Sequence, residues 1–178
     1  MGAPLARAVA LLLAPLALAA CAYIGGGGEL PSGEPTFYRN LARPGAELDA
    51  KAAASMLSGY RRNNGLPAVT LDPELMRLAE QQSRAMVAKN QLSHSAGGAF
   101  TERLRNSGYH SREAAENISA GYYTLAEAFS GWRDSPPHRA NMLLKGATRM
   151  GIAAVYSPGS KYKVFWALIL ADPSEPSG

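Results

Sequence analysis

The sequence contains very little cysteine, because Cys21 is the only one among its 178 residues. A single cysteine cannot form a disulfide within the chain, so the fold has to be stabilised by its hydrophobic core. A hydrophobic content of 47% and a charged content of 18% are ordinary for a globular protein and can supply such a core. The length predicts one domain.

Clustered positive charge is missing as well. The chain has 18 basic and 14 acidic residues, a formal net charge of +4, and no basic run longer than Arg61-Arg62. Proteins that bind nucleic acid concentrate Lys and Arg on one face or along one element, so the scattered excess gives no reason to expect a nucleic-acid partner. We also find no internal repeat, and we expect a monomer.

Long hydrophobic runs are absent except near the start, where residues 8–20 are apolar apart from Pro15. This run is too short to span a bilayer comfortably and has the length of a signal-peptide core. It ends Leu18-Ala19-Ala20-Cys21, which resembles a bacterial lipobox. We therefore expect residues 1–21 to be a lipoprotein signal peptide, cleaved before Cys21, with lipid on the Cys21 sulfur. An ordinary secretory signal is the alternative, and either one takes the protein out of the cytoplasm.

Glycine and proline separate this leader from the remaining chain. Residues 22–44 include four consecutive glycines at 25–28 and prolines at 31, 35 and 44, a composition that predicts a flexible tether. A folded domain is expected over residues 45–173, followed by a disordered Pro- and Ser-rich tail at 174–178. The tether would join a membrane anchor to a domain in the cell envelope.

Hydrophobic periodicity predicts helices over 46–64, 73–90, 100–106 and 124–132. Asp72-Pro73 supplies an N-cap and a first-position proline for the second helix, and Thr124 with Glu127 forms a capping box for the fourth. Strands are predicted at 114–120, 150–156 and 162–170. The last is apolar almost throughout, as expected of a strand that is buried on both faces. The pattern predicts an α+β fold, with helices packed on an antiparallel sheet.

The stretch W-R-D-S-P-P-H-R-A-N-M-L-L at 132–144 predicts a further short helix. Ser135 is expected to be its N-cap and Pro136 its first residue. His138 then lies in the first turn, where the positive helix end disfavours the imidazolium and makes the ring an acceptor or a metal ligand. The alternative is a surface histidine on a surface helix.

Four motifs in a fixed order carry a family resemblance. They are L-S-H-S at 92–95, A-E-N-I at 115–118, W-R-D-S-P-P-H-R-A-N-M-L at 132–143 and G-I-A-A-V-Y at 151–156. In this order the chain resembles bacterial members of the CAP superfamily, which takes in cysteine-rich secretory proteins, antigen 5 and pathogenesis-related 1 proteins. The resemblance extends over residues 46–172. It implies a CAP-type α–β–α sandwich, with a small antiparallel sheet between helical layers.

The resemblance also implies a shallow cavity, which in many members is lined by two histidines and two acidic residues. By the motif match, His94 is the first histidine and Glu116 the first acid. This sequence departs from the pattern at the other two positions, because Ser135 stands where the second acid is expected and the strand at 165–168 has no histidine. His138 then completes the histidine pair. The residues expected at the cavity are His94, Glu116, Asn117, His138, Arg139 and Asn141.

Two functions of different kinds are compatible with these residues. Two imidazoles and a carboxylate are a sensible zinc set, so His94 and His138, with Glu116 as third ligand, could bind a divalent metal such as zinc weakly. A metal-assisted hydrolase acting on peptide or cell-wall material would use all three. The same side chains could instead only hydrogen-bond one another.

The sequence favours the non-catalytic function. The four-residue set is incomplete, and no nucleophile assembly is visible. We therefore expect a lipid-anchored CAP module that binds a lipid, cell-wall or protein ligand outside the cytoplasm. Enzymatic activity stays an open alternative.

Overall fold

The structure of the protein is a computed structural model that describes Gly2 and residues 35–173. The predicted signal peptide with Cys21, the tether as far as residue 34 and the tail at 174–178 lie outside the described residues. Among the residues that are described, no helix is both long enough and apolar enough to cross a membrane.

Within residues 35–173, five α-helices follow a short 3-10 turn at Thr36–Tyr38. They are α1 (Ala50–Asn63), α2 (Pro73–Lys89), α3 (Phe100–Asn106), α4 (Leu125–Asp134) and α5 (Pro136–Met142). The start of α2 is as predicted, because the Asp72 carboxylate accepts hydrogen bonds from the first backbone N–H groups of the helix. The first helix begins later than predicted, since Asp49 caps it by accepting from the Ala52 N–H.

Four strands form one sheet in the order β1-β3-β4-β2. They are β1 (Thr70–Leu71), β2 (Ser111–Ala120), β3 (Arg149–Tyr156) and β4 (Val164–Pro173). The strands β2 and β3 flank β4 in antiparallel pairing, whereas β1 runs parallel to β3. The predicted antiparallel pairing therefore holds for the three long strands. The short β1, which makes the sheet mixed, was not predicted, because two residues are too few to show an alternating pattern in the sequence.

The core lies on both faces of the central strand β4, which is buried from Val164 to Ala171, as its apolar sequence predicts. Phe165 and Ile169 point into a cluster with residues of α2, on the side where α3 also packs. Trp166 and Leu168 alternate with them and belong to a second cluster with residues of α1, α4 and α5. The sheet therefore lies between two helical layers, and the α–β–α sandwich is confirmed.

Helix α2 lies close to the sheet at Gly151. A Cβ atom built on Gly151 would be 2.1 Å from the carbonyl carbon of Leu75, so the backbones of α2 and β3 are in direct contact. Only glycine allows this approach. The contact lies near the start of α2, and the loop with His94 follows the other end of that helix.

Arg61 of α1 is fully buried and connects distant segments. Its guanidinium donates hydrogen bonds to the backbone carbonyl oxygens of Pro67, Met142, Leu144 and Ala147 at 2.7–2.9 Å. Burial lowers the pKa of this guanidinium from its ordinary value. The side chain thereby holds the segment between α5 and β3 against α1.

Residues 36–44 pack on the domain, although the sequence places them in the tether. Leu41 is buried in the core, and its N–H donates to the carbonyl oxygen of Tyr123 at 2.7 Å. The apolar residues among 36–44 outweigh the turn-forming composition of that stretch.

Candidate functional site

Glu116 is the buried carboxylate at the centre of the predicted site, with a side chain that is only 1% exposed. Its Oε1 lies 2.9 Å from Nδ1 of His94, and its Oε2 accepts a hydrogen bond from Nη2 of Arg103 at 2.5 Å. The residue lies on β2 opposite Ile169 of β4, so the sheet register sets its position. Both carboxylate oxygens are therefore engaged.

His94 lies in the loop between α2 and α3, and its side chain is 55% exposed. An ionised carboxylate can only accept hydrogen bonds, so Nδ1 of His94 carries the hydrogen and Nε2 is left for other partners. Gln82 of α2 makes two hydrogen bonds to this loop. Its amide donates to the Ser93 carbonyl at 2.8 Å and accepts from the Gly97 N–H at 3.1 Å.

Arg103, the second partner of Glu116, is a site residue that was not predicted from the sequence. It lies on α3 with a side chain that is only 8% exposed, its Nε donates to the Gly98 carbonyl at 3.1 Å, and its guanidinium lies over the Phe100 ring. One feature of the sequence could have identified it. Arg103 lies three residues after Phe100 and next to Leu104, on the helix face that the sequence predicts to be apolar. An arginine there has to find an anionic partner in the core.

His138 of α5 is half-buried, and its Nδ1 lies 2.9 Å from the Ser135 hydroxyl. Ser135 is the N-cap residue, as predicted, although its side chain makes no hydrogen bond to the helix backbone. Burial lowers the pKa of His138, and repulsion from His94 lowers it further. The expected neutral imidazole is therefore supported, for reasons other than the helix end.

Asn117 and Asn141 connect α5 to β2. The Asn117 amide donates to the backbone carbonyl of His138 at 2.9 Å. The Asn141 amide donates to Oδ1 of Asn117 at 2.9 Å and to the Glu116 carbonyl at 3.2 Å. These hydrogen bonds fix the position of α5, and with it that of His138, relative to β2. Arg139 lies apart from them, exposed, and donates to the Arg133 carbonyl at 3.2 Å.

A cavity of about 250 Å³ lies beside His138. Residues 118–120 of β2 line one side of it, and Leu92, Trp132 and His138 line others. Of the residues predicted for the cavity, His138 alone lines it. A larger groove of about 650 Å³ between α2 and β3 contains none of the predicted site residues.

The predicted zinc ligand set does not fit this arrangement. Glu116 already binds His94 and a buried guanidinium, which would repel a divalent cation placed on the same carboxylate. Within residues 35–173, no three His, Cys, Asp or Glu side chains lie close enough together to hold a metal ion. The Nε2 atoms of His94 and His138 are two donors, whereas catalytic zinc sites use three protein ligands. We therefore assign no step of chemistry to a metal.

Comparison with known proteins gives a match to one family. The profile of the cysteine-rich secretory protein family, CAP, matches residues 54–170. The uncharacterized protein YkwD of Bacillus subtilis is 28% identical to the chain over 109 residues. That alignment covers 60% of this chain and 42% of YkwD, so the chain spans less than half of that relative.

Solved structures show the same fold at low identity. An extracellular protein containing an SCP domain from Bacillus anthracis has a TM-score of 0.59 and 24% identity, over 68% of this chain and 39% of its own. An outer surface protein from Borrelia burgdorferi has a TM-score of 0.64 and 15% identity, over 71% of this chain and 93% of its own. Both likenesses agree with the layered architecture described above.

Proposed function

Because the chain belongs to the cysteine-rich secretory protein (CAP) family, we propose that it is a binding module of the cell envelope that holds a ligand without transforming it. The binding face is formed by His94, His138 and Leu92, and we call it the histidine face. A lipid on Cys21 anchors the chain to a membrane. The ligand is a lipid, cell-wall or protein component, and the module acts as a monomer.

The observation that supports binding over catalysis is the state of Glu116. A general base needs a carboxylate oxygen within reach of the proton that it removes. One oxygen of Glu116 is held by Arg103 and the other by His94, and the side chain is 1% exposed. In this position Glu116 orients the His94 ring and has no oxygen free to accept a proton from a substrate.

The chemistry of the histidine face suits a ligand with polar and apolar parts. His94 offers a ring nitrogen on a side chain that is 55% exposed, and Leu92 is a large hydrophobic residue that is 45% exposed. His138 adds a neutral imidazole, since burial lowers its pKa. Exposed apolar side chains beside polar groups are typical of interaction sites.

The proposed location rests on the leader and on the solved relatives. Residues 8–20 with Leu18-Ala19-Ala20-Cys21 are typical of a lipoprotein signal. The Bacillus anthracis relative is an extracellular protein, and the Borrelia burgdorferi relative is an outer surface protein. Both support an envelope location for this chain.

The anchor is tested first by fractionation. The full chain should sediment with membranes, and Cys21→Ser should leave it soluble and folded. A soluble, unlipidated wild type, or a Cys21→Ser chain that still sediments with membranes, would remove the lipid anchor from the proposal.

The soluble Cys21→Ser chain then tests binding. We expect it to cosediment saturably with isolated cell envelopes. Adding His94→Ala and His138→Gln together should weaken this binding, whereas the exposed His110→Gln should not. Mass spectrometry should find no envelope fragments that the protein releases. Fragments that disappear with Glu116→Gln would show that the protein is a hydrolase, and the absence of saturable binding would overturn the binding module.

A further inference from the structure

Among residues 35–173, strand β2 is an edge strand of the sheet, because β4 is its only neighbour in the order β1-β3-β4-β2. The edge of such a strand presents backbone N–H and C=O groups that can pair with another chain. Native proteins usually protect an edge with charged residues, proline or a bulge. Residues 117–120 are Asn-Ile-Ser-Ala, which contain none of these at the outer edge.

The backbone groups that face away from β4 belong to Ile118 and Ala120. In an antiparallel pair, hydrogen-bonded residues alternate with residues whose backbone groups point outward. The Gly121 N–H donates to the Val164 carbonyl at 3.0 Å, so residues 117, 119 and 121 face β4. The backbone groups of Ile118 and Ala120 therefore point to the outer edge, and they take part in no hydrogen bond outside the β2–β4 pair among the described residues.

The next backbone group along β2 that points to the outer edge belongs to Glu116, and it has a hydrogen-bond partner. The Glu116 carbonyl accepts a hydrogen bond from the Asn141 amide at 3.2 Å. Asn141 thus ends the free edge on one side, and the turn at Gly121 ends it on the other. The length between them suits a segment of about three or four residues at 3.3 Å per residue.

The free edge lines the cavity of about 250 Å³ beside His138. This volume is smaller than the roughly 300–1,000 Å³ of sites for drug-sized ligands, so it suits one side chain rather than a cofactor. No Lys, Arg, Asp or Glu lines it. Ser119, which is only 7% exposed, also lines it.

We propose that a neutral, extended peptide segment docks on the outer edge of β2 and pairs with the backbone of Ile118 and Ala120. The segment becomes a fifth strand, one of its side chains enters the cavity and Leu92 contacts it at the rim. Peptide backbone supplies the alternating donors and acceptors that the edge lacks, which is the mode of strand addition. This inference rests on the proposed binding function and names the ligand class of that module.

The test uses the soluble Cys21→Ser full chain and the peptide acetyl-Ala-Leu-Ala-Ala-amide. At saturating peptide, amide hydrogen exchange of Ile118 and Ala120 should slow by about tenfold or more. The Ala154 amide on β3 serves as the internal control and should not change. The same peptide with an N-methylated leucine, which lacks one donor, should bind about tenfold more weakly.

A pair of protein variants checks the position of the peptide. Leu92→Ala should lower the peptide affinity about threefold or more without changing the melting temperature. Tyr123→Ala removes another exposed side chain that does not line the cavity, and it should leave the affinity unchanged.

Several results would overturn the inference. They are unchanged exchange at Ile118 and Ala120, equal binding of the N-methylated peptide, or equal effects of the two variants. Protection of the same amides that rises with protein concentration in the absence of peptide would identify a second copy as the occupant. If envelopes bind the chain but the peptide does not, this inference fails while the binding module stands. If the peptide binds and envelopes do not, the envelope function fails instead.

Discussion

Asn117 donates a hydrogen bond from its side-chain amide to the backbone carbonyl of His138, across 2.9 Å. The same side chain accepts from the amide of Asn141 and is fully buried. The Asn117 side chain of β2 therefore bonds to α5 at two positions, His138 and Asn141. The bond to Asn117 fixes the main chain of His138, while its imidazole ring contacts the Ser135 hydroxyl and lines the cavity.

Asn117→Ala should destabilise the protein by about 1–3 kcal/mol, because it removes the donor to the His138 carbonyl and one of the two acceptors of the Asn141 amide. Urea unfolding measures the change. The exposed Asn64→Ala should stay within about 0.5 kcal/mol of the wild type. Equal losses in the two variants would mean that the Asn117 network does not hold α5.

Arg103→Met should cost about 3–5 kcal/mol in the free energy of unfolding, since it removes the guanidinium from a buried carboxylate. Adding Glu116→Gln should recover part of that loss, because the charge that lacks a partner is then gone. Chemical denaturation of the wild type, both single variants and the double variant provides the cycle. A double variant that is less stable than Arg103→Met would contradict the buried pairing.

Arg61→Met should destabilise the chain by more than about 3 kcal/mol, because four buried or half-buried carbonyl oxygens lose their donor together. Arg62 follows directly on the same helix and is exposed, so Arg62→Met is the matched control, expected within about 0.5 kcal/mol. Thermal and urea unfolding of both variants measure the two changes in stability. Similar stabilities would show that Arg61 is not a structural centre.

Thr124→Ala should lower stability by about 0.5–2 kcal/mol through loss of the N-cap bond. The capping box of α4 is fully formed, with Thr124 accepting from the Glu127 N–H and the Glu127 carboxylate accepting from the Thr124 N–H. Thr101→Ala, at an exposed position of α3, should have a smaller effect. Envelope binding by the folded Thr124→Ala chain should equal that of the wild type, and a specific binding defect would place the first turn of α4 in the site.

Acid should destabilise the protein partly through His138. Burial lowers the folded-state pKa of this histidine below its ordinary value near 6.5, so the unfolded chain binds the proton more readily. The contribution of neutral His138 is therefore complete above about pH 6.5 and is lost as the pH falls from there toward the folded-state pKa. Unfolding between pH 7.5 and 5.0 should show a shallower pH dependence for His138→Gln, while exposed His110→Gln should follow the wild type. Identical slopes for all three chains would contradict the assignment.

The sequence predicts elements well where short-range signals determine them. Asp72 and Pro73 set the start of α2 through bonds within three residues, and the apolar run from Val164 predicts the buried central strand. The strand β1 was missed because two residues carry no periodicity. The burial of Arg61 was missed because three of its acceptors lie 81–86 residues further along the chain.

The candidate site was predicted in part. The proximity of His94 and Glu116 came from the motif resemblance, since no local pattern connects residues 22 positions apart. The role of Arg103 and the separate position of Arg139 depend on how α3 and α5 pack, which local periodicity does not determine. The free edge at Ile118 and Ala120 likewise depends on strand order, and strand order is a property of the whole sheet.

The contact between Gly151 and Leu75 has a consequence for mutational tolerance. With a Cβ atom only 2.1 Å from the α2 backbone, no substitution at position 151 can be accommodated by a side-chain rearrangement alone. Even alanine would have to push a 17-residue helix away from the sheet. The loop with His94 follows the other end of that helix, so moving the helix as a rigid body would also displace the histidine face. A position without any side chain thereby becomes one of the least replaceable in the domain, and a saturation library at 151 should return glycine almost alone.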